Sequence, residues 1–179
     1  MKRGSRNLAL STIALAIGCL FAAASPAQQP GQNPAGANQP VDRIVVVKST
    51  RTLNLQNGDH VLKTYKVALG SNPIGAKERE GDHKTPEGEY FVDAKNPQSQ
   101  FYMALHLSYP SAADRVRARK LGASPGGDVE IHGLGRAYGW VGARHRLTDW
   151  TDGCVAVTNE EIEDIFKMVA VGTRVEIKP

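Results

Sequence analysis

Residues Val129–Asn159 read VEIHGLGRAYGWVGARHRLTDWTDGCVAVTN, and this stretch decides how the rest of the chain is read. A short apolar run, Ile131-His132-Gly133, carries a histidine. A Gly- and aromatic-rich excursion follows, then the turn Thr151-Asp152-Gly153-Cys154 and two alternating apolar residues, Val155 and Val157. The histidine and the cysteine therefore belong to separate short strands, with glycines beside both that let another group come close. That is the layout of a thiol nucleophile and its base. Free cysteine, with a pKa near ~8.5, is mostly un-ionised at neutral pH, so it needs a neighbour to take its proton. His132 is the candidate base and Cys154 the candidate nucleophile, with the amides of Gly153 and Cys154 as candidate oxyanion donors at the turn.

Working outward, residues 158–169 carry the clearest helical pattern. Thr158 reads as N-cap and Glu161 completes a capping box; Ile162, Ile165, Phe166 and Val169 fall at i, i+3, i+4 and i+7. Gly172-Thr173 turns into a closing strand over 174–178. Upstream, residues 111–121 (SAADRVRARKL) predict a second short helix, with Ser111 as N-cap, Asp114 at the third helical position and Gly122 as stop. Its arginines read as a solvated face. Residues 44–48, 51–56, 60–69, 89–93 and 101–107 read as strands, and Asn57-Gly58 as a two-residue hairpin turn. Residues 71–85 are polar and irregular. Strands dominate, there are two short helices, and the fold class is mainly β.

The N-terminus reads as an address. Lys2, Arg3 and Arg6 precede a nearly unbroken apolar run from Leu8 to Ala24, and Ser25-Pro26-Ala27 supplies small residues for cleavage. Residues 1–27 are thus expected to be a secretory signal peptide, too short for a comfortable membrane span. Ile17-Gly18-Cys19 offers a weaker lipoprotein reading, with anchoring at Cys19. Residues 28–40 (QQPGQNPAGANQP) lack bulky apolar groups and read as a flexible linker, so the domain is expected over 41–179.

Removing the leader changes the charge. The full chain has 22 basic and 18 acidic residues, but three of the basic and none of the acidic ones lie in residues 1–27. The remainder carries about +1, which argues against a nucleic-acid partner, since that would need a basic face. The membrane is engaged only through the export signal. With Cys19 gone, Cys154 has no partner for a disulfide in an oxidising compartment, which favours a reactive role.

The motifs resemble those of the L,D-transpeptidase (YkuD-type) family. His132-Gly133 followed some twenty residues later by Thr151-Asp152-Gly153-Cys154 is similar to that family's signature. Gly81-Asp82-His83-Lys84-Thr85-Pro86-Glu87-Gly88-Glu89-Tyr90 resembles the block that precedes one of its strands. The resemblance covers residues 41–178. It implies a β-sandwich-like catalytic domain of the periplasm or cell envelope that acts on peptidoglycan stem peptides, in cell-wall biogenesis and cell shape. Cys154 would attack the carbonyl between the third stem residue and D-Ala, releasing D-Ala. An amine on a second stem or an acceptor protein, or else water, would then resolve the acyl-enzyme. His132 would be the base, with the Gly133 carbonyl orienting it, and neither metal nor cofactor is implied.

Two departures stand out. Asp152 and Ala156 occupy positions where the family usually has His and commonly Arg or Asn. Arg144 or Arg146 is the candidate replacement for the missing cation. Trp140, Trp150 and Tyr138 are candidates for a lid or sugar platform, and Thr151 for a substrate contact. The competing readings are a hydrolase of the same L,D-bonds, a non-catalytic envelope-binding domain, and a metal site built from His132, His145 and Cys154 with His106 or Asp152. The last matches no familiar zinc spacing.

Overall fold

A computed structural model describes residues 39–179. The expected signal peptide, the Cys19 anchor and all but the end of the linker lie outside the described residues. The described strands form one eight-stranded sheet: β1 (Arg43–Val47), β2 (Thr52–Asn57), β3 (His60–Lys66), β4 (Gly88–Asn96), β5 (Ala104–Leu107), β6 (Glu130–His132), β7 (Val155–Ala156) and β8 (Arg174–Lys178). Their order is β3-β2-β1-β8-β4-β5-β6-β7. The closing strand β8 lies in the middle, parallel to β1 and antiparallel to β4. The mainly β class with two helices, α1 (Ala112–Lys120) and α2 (Asn159–Met168), agrees with the expectation.

The sandwich-like shape comes from this single sheet curling on itself. Beyond β3 the chain runs back to the far edge, where Ala68 and Ala156 exchange both backbone hydrogen bonds at 3.0 and 2.9 Å. Leu69 and Ser71 then bond Thr151. An edge strand as short as β7 would otherwise leave backbone groups unpaired beside the site. Inside the curl, Ile44, Val46, Leu53, Leu55, Leu105, Leu107, Ile131 and Val155 are fully buried. Ile162 and Ile165 of α2 join them, so the predicted stripe faces the core.

Both helix starts are as read from the sequence: Ser111 with Asp114, and Thr158 with Glu161, form capping boxes. The C-terminus of α2 is met by Lys95 of β4, whose ammonium donates to the carbonyls of Phe166 and Val169. That places a cation where the helix dipole is negative.

Several boundaries differ from the sequence reading: β3 ends at Lys66 rather than at 69, and β4 spans Gly88–Asn96 rather than 89–93. The hairpin loop is Gly58-Asp59, with Asn57 paired to His60, because Gly58 takes the positive φ of 55° and a bulge at Leu55/Gln56 shifts the register. Strand β5 starts at Ala104, three residues late, since Tyr102 has φ 83° and breaks the extended run. The excursion 136–147 is a 3-10 segment kinked at Gly142.

Candidate active site

The pairing of β6 with β7 brings the two candidate residues together. The strands run parallel, with Ile131 opposite Val155 and His132 opposite Ala156. Side chains alternate along a strand, so Ile131 and Val155 enter the core while His132, Ala156 and, one step before the strand, Cys154 share the other face. The Glu130 amide, opposite Cys154 in this register, donates to Sγ at 3.4 Å. Two glycines are demanded by contact. A Cβ on Gly153, which has φ 133°, would lie 2.7 Å from the Lys84 carbonyl, and one on Gly133 would lie 2.7 Å from Asn159 Oδ1.

His132 is 1% exposed. Its Nδ1–H donates to the Gly133 carbonyl at 2.6 Å, which leaves the lone pair on Nε2. Phe101 stacks on the ring at a centroid distance of 4.2 Å, and Trp150 meets it edge-on at 5.9 Å. Burial holds the imidazole down at about 4, against the Gly133 hydrogen bond that favours the proton. It is therefore a neutral imidazole at physiological pH.

Cys154 is half-buried, and burial pushes its thiol up to about 11. The Glu130 amide and Lys77 oppose this, while the carboxylates of Glu130 and Asp152 add to it. The resting pair is thus a thiol and a neutral imidazole, with the thiolate far scarcer than in a free cysteine. The thiol opens onto a cavity of about 420 Å3 lined by polar and charged groups, among them Lys77, Glu80, His83, Asp128 and Asp152.

The stretch 71–85, read from the sequence as polar and irregular, builds one wall of that cavity with Lys77, Glu80, Gly81 and His83, the last two from the block that carries part of the family resemblance. Lys48, 3% exposed, staples it to β1 by donating to Gly75 O, Thr85 O and Glu87 Oε1. Lys77, 4% exposed, donates to Asp82 at 2.8 Å, and its ammonium would lie 3.8 Å from a Gly153 Cβ. Lys77 and the backbone amides of Glu78, Arg79 and Lys84 hold Asp82 down at about 2, against its burial. Asp152 is turned outward and accepts from His83 Nδ1 at 2.8 Å. The signal for Lys77 was slight, a lysine five residues before an aspartate in a loop.

The other candidate residues separate into distinct places. The Gly153 amide donates to Thr151 Oγ1 at 3.1 Å, and that hydroxyl donates to Cys154 O at 2.8 Å. This corrects two expectations: the Gly153 N–H is occupied, and Thr151 holds the turn with a hydroxyl used at both ends. The Cys154 amide is the donor that remains. Arg146 is committed to Glu161, the capping residue of α2, and so is not available as a substrate clamp. Trp140 is 81% exposed and lines neither cavity described here.

Arg144, Trp150 and Tyr138 line a second, larger cavity of about 530 Å3 together with Phe101 and His145. Asn159 fixes one of its borders, accepting from Leu134 N and donating to Gly135 O. His145 is 7% exposed, with both ring nitrogens lacking partners among the described residues. Burial holds it at about 4, aided by Arg146 and His132 and opposed by Glu161. Among the described residues no three of His, Cys, Asp or Glu come together as a metal-holding group.

Known proteins share this arrangement of strands. The model of the L,D-transpeptidase catalytic domain (YkuD) matches residues 41–177. An Escherichia coli (strain K12) protein provisionally named L,D-transpeptidase YafK is 33% identical over 132 residues, 70% of this chain and 46% of YafK. A Bacillus subtilis (strain 168) protein provisionally named L,D-transpeptidase YqjB is 30% identical over 162 residues, 88% of this chain and 81% of YqjB. Among solved structures, the helical cell shape determining protein Pgp2 of Campylobacter jejuni has a TM-score of 0.60 at 27% identity, covering 78% of this chain and 48% of Pgp2. The chain spans about half the length of YafK and Pgp2.

Proposed function

The chain belongs to the L,D-transpeptidase catalytic domain family, and from that premise we propose that it is a cysteine acyltransferase of the cell envelope acting on peptidoglycan stem peptides. The observation that carries the reading is the β6–β7 pairing, which sets Cys154 and His132 on one face with the Nε2 lone pair of His132 available.

The chemistry follows from the resting state. Substrate entering the cavity brings its carbonyl to Sγ, and His132 Nε2 takes the thiol proton as the carbon–sulfur bond forms. The Gly133 carbonyl gains strength as acceptor when the ring becomes imidazolium, steadying the charge that burial otherwise penalises. The Cys154 amide donates to the developing oxyanion. The imidazolium then protonates the departing D-Ala nitrogen, leaving a thioester on Cys154. The same imidazole deprotonates an incoming amine or water, which breaks the thioester and frees the thiol. Water as acceptor makes the protein a hydrolase of the same bonds, and an amine makes it a cross-linking or anchoring enzyme. The likeness to the helical cell shape determining protein Pgp2 supports a role in wall architecture.

The test is product analysis. A disaccharide-tetrapeptide incubated with the protein is expected to release D-Ala, with Cys154→Ala inert. The fate of the remaining stem, free acid or amide-linked, names the acceptor. No D-Ala from this donor or from cross-linked peptidoglycan would defeat the reading.

A further inference from the structure

An amine that resolves an acyl-enzyme has one more proton to lose than water has. It arrives as an ammonium, since at pH 7 only roughly one in 2,500 lysine-type amines is free. One proton must leave before the nitrogen can attack, and a second leaves as the amide forms. His132 accepts the second at Nε2, which leaves the first without a base. The cavity onto which the thiol opens holds another imidazole. His83 lines it together with Cys154 and Asp152, and its Nδ1 lies 2.8 Å from Asp152 Oδ1. A carboxylate only accepts, so Nδ1 carries the hydrogen and the Nε2 lone pair is left for another group. His83 is also fixed in place, at a φ of 55° that is uncommon outside glycine. Its carbonyl accepts from the Asn72 amide at 3.0 Å, and Asp82 before it is held by Lys77 and the amides of Glu78, Arg79 and Lys84.

We propose that His83, oriented by Asp152, is the catalytic base that takes the first proton from a cationic amine acceptor, ahead of His132. That an acyl-enzyme exists for the amine to resolve rests on the transferase reading above. The cavity wall suits such an acceptor. Among the described residues that line it, Glu80, Asp128 and Asp152 bring carboxylates, and the one lysine, Lys77, is matched by Asp82 at 2.8 Å. An ammonium is drawn to that wall and an anionic nucleophile is repelled. His83 Nε2 takes one proton from the ammonium, giving the free amine and an imidazolium beside Asp152. The amine nitrogen bonds to the thioester carbon while His132 Nε2 takes its second proton. The carbon–sulfur bond breaks, and His132 returns that proton to sulfur. The proton on His83 passes to solvent, to which its side chain is 51% exposed. The sum is thioester and ammonium to amide, thiol and one proton. Water arrives uncharged and needs only His132, so His83 serves aminolysis and not hydrolysis.

The experiment measures a product ratio. The full chain is given a disaccharide-tetrapeptide as donor and Nα-acetyl-lysine as acceptor, and amide and free-acid products are quantified by mass spectrometry. Both arise from one acyl-enzyme, so their ratio does not depend on how fast it forms. His83→Gln is expected to lower the amide-to-acid ratio by about 10²-fold, the lower end of what a positioned base supplies. Asp152→Ala, which frees the ring to turn, is expected to lower it by about tenfold, and it carries the comparison should His83→Gln fail to fold. Hydroxylamine is already uncharged at neutral pH, so its hydroxamate-to-acid ratio is expected to be the same in the variants as in the wild type. Damage to the fold would not separate the two amines in this way. An unchanged ratio with Nα-acetyl-lysine, an equal fall with both amines, or free acid alone from the wild type with the lysine probe overturns the role of His83 and leaves the acyl-enzyme chemistry standing. No product of any kind from the wild type defeats the transferase reading, and this inference with it.

Discussion

The two cavities of this domain share no lining residue, one opening at Cys154 and the other walled by Phe101 and Trp150 where they pack on His132, and they are built on opposite principles. Around Cys154 the polar side chains are numerous and matched: Lys77 with Asp82, His83 with Asp152, Thr151 with both its turn neighbours. Around His145 the wall is mostly apolar and aromatic, with Gln100, Arg144 and Thr148 as its other polar side chains, and the buried imidazole has no match among the described residues. Both histidines are held near 4 by burial, but only His132 has its tautomer fixed, by Gly133. A buried imidazole with one nitrogen pinned is prepared for a defined proton transfer, and one with neither pinned is not. The difference in hydrogen bonding, rather than in pKa, separates the proposed base from the other buried histidine.

His132→Gln tests the first half of that contrast most severely. It keeps a polar group in the space but removes the proton acceptor, and acylation is expected to slow by about 10²–10⁴-fold, as measured by single-turnover D-Ala release. His145→Gln is expected to leave that step far less affected.

Acid exposes what the two histidines have in common. Each has a folded pKa of about 4, below the ordinary 6.5. Unfolding therefore takes up protons between those values, so the stability these residues contribute is present above pH 6.5 and is lost as pH falls toward 4. The loss is on the order of 3 kcal/mol for each histidine. Denaturant titrations across this window are expected to show a slope that His145→Gln reduces; a slope unchanged by the substitution would mean that His145 titrates normally.

Gly153→Ala attacks the Cys154 side. The added Cβ meets the Lys84 carbonyl at 2.7 Å with φ at 133°, and the expected loss is about 1–3 kcal/mol in unfolding free energy. A smaller effect is expected from Lys77→Met, which removes the cation that eases thiol ionisation. Alkylation of Cys154 at neutral pH should slow by a factor of about two or three, since Lys77 is the weakest of the influences on the thiol. Alkylation at the wild-type rate would show that Asp82 already neutralises Lys77.

What the sequence disclosed was local. Capping boxes at Ser111 and Thr158, the α2 stripe and the β8 strand follow from short-range patterns, and each is where those patterns place it. The motif residues His132 and Cys154 were legible because their neighbours are glycines with a steric reason to be there. What stayed hidden was assembled over long separations. The Ala68–Ala156 closure joins residues 88 positions apart, and no periodicity announces it. Lys77 and Lys48 lie in or against a polar stretch that reads as solvent loop, yet both are buried, Lys48 by bonds to Gly75, Thr85 and Glu87 far along the chain and Lys77 by the fold of its own loop around Asp82. Arg146 looked free for a substrate because its partner, Glu161, already had a role as a helix cap. Trp140 and Trp150 look alike in sequence, and only the kinked 3-10 segment separates them.

An acyl-enzyme on Cys154, formed with His132 as base, is a species that can be weighed. Intact-protein mass after rapid mixing with a disaccharide-tetrapeptide tests it most directly. The expected result is an adduct equal to the substrate less D-Ala, absent in Cys154→Ala and much delayed in His132→Gln. An adduct that persists in Cys154→Ala, or one that forms at the wild-type rate in His132→Gln, would contradict the account.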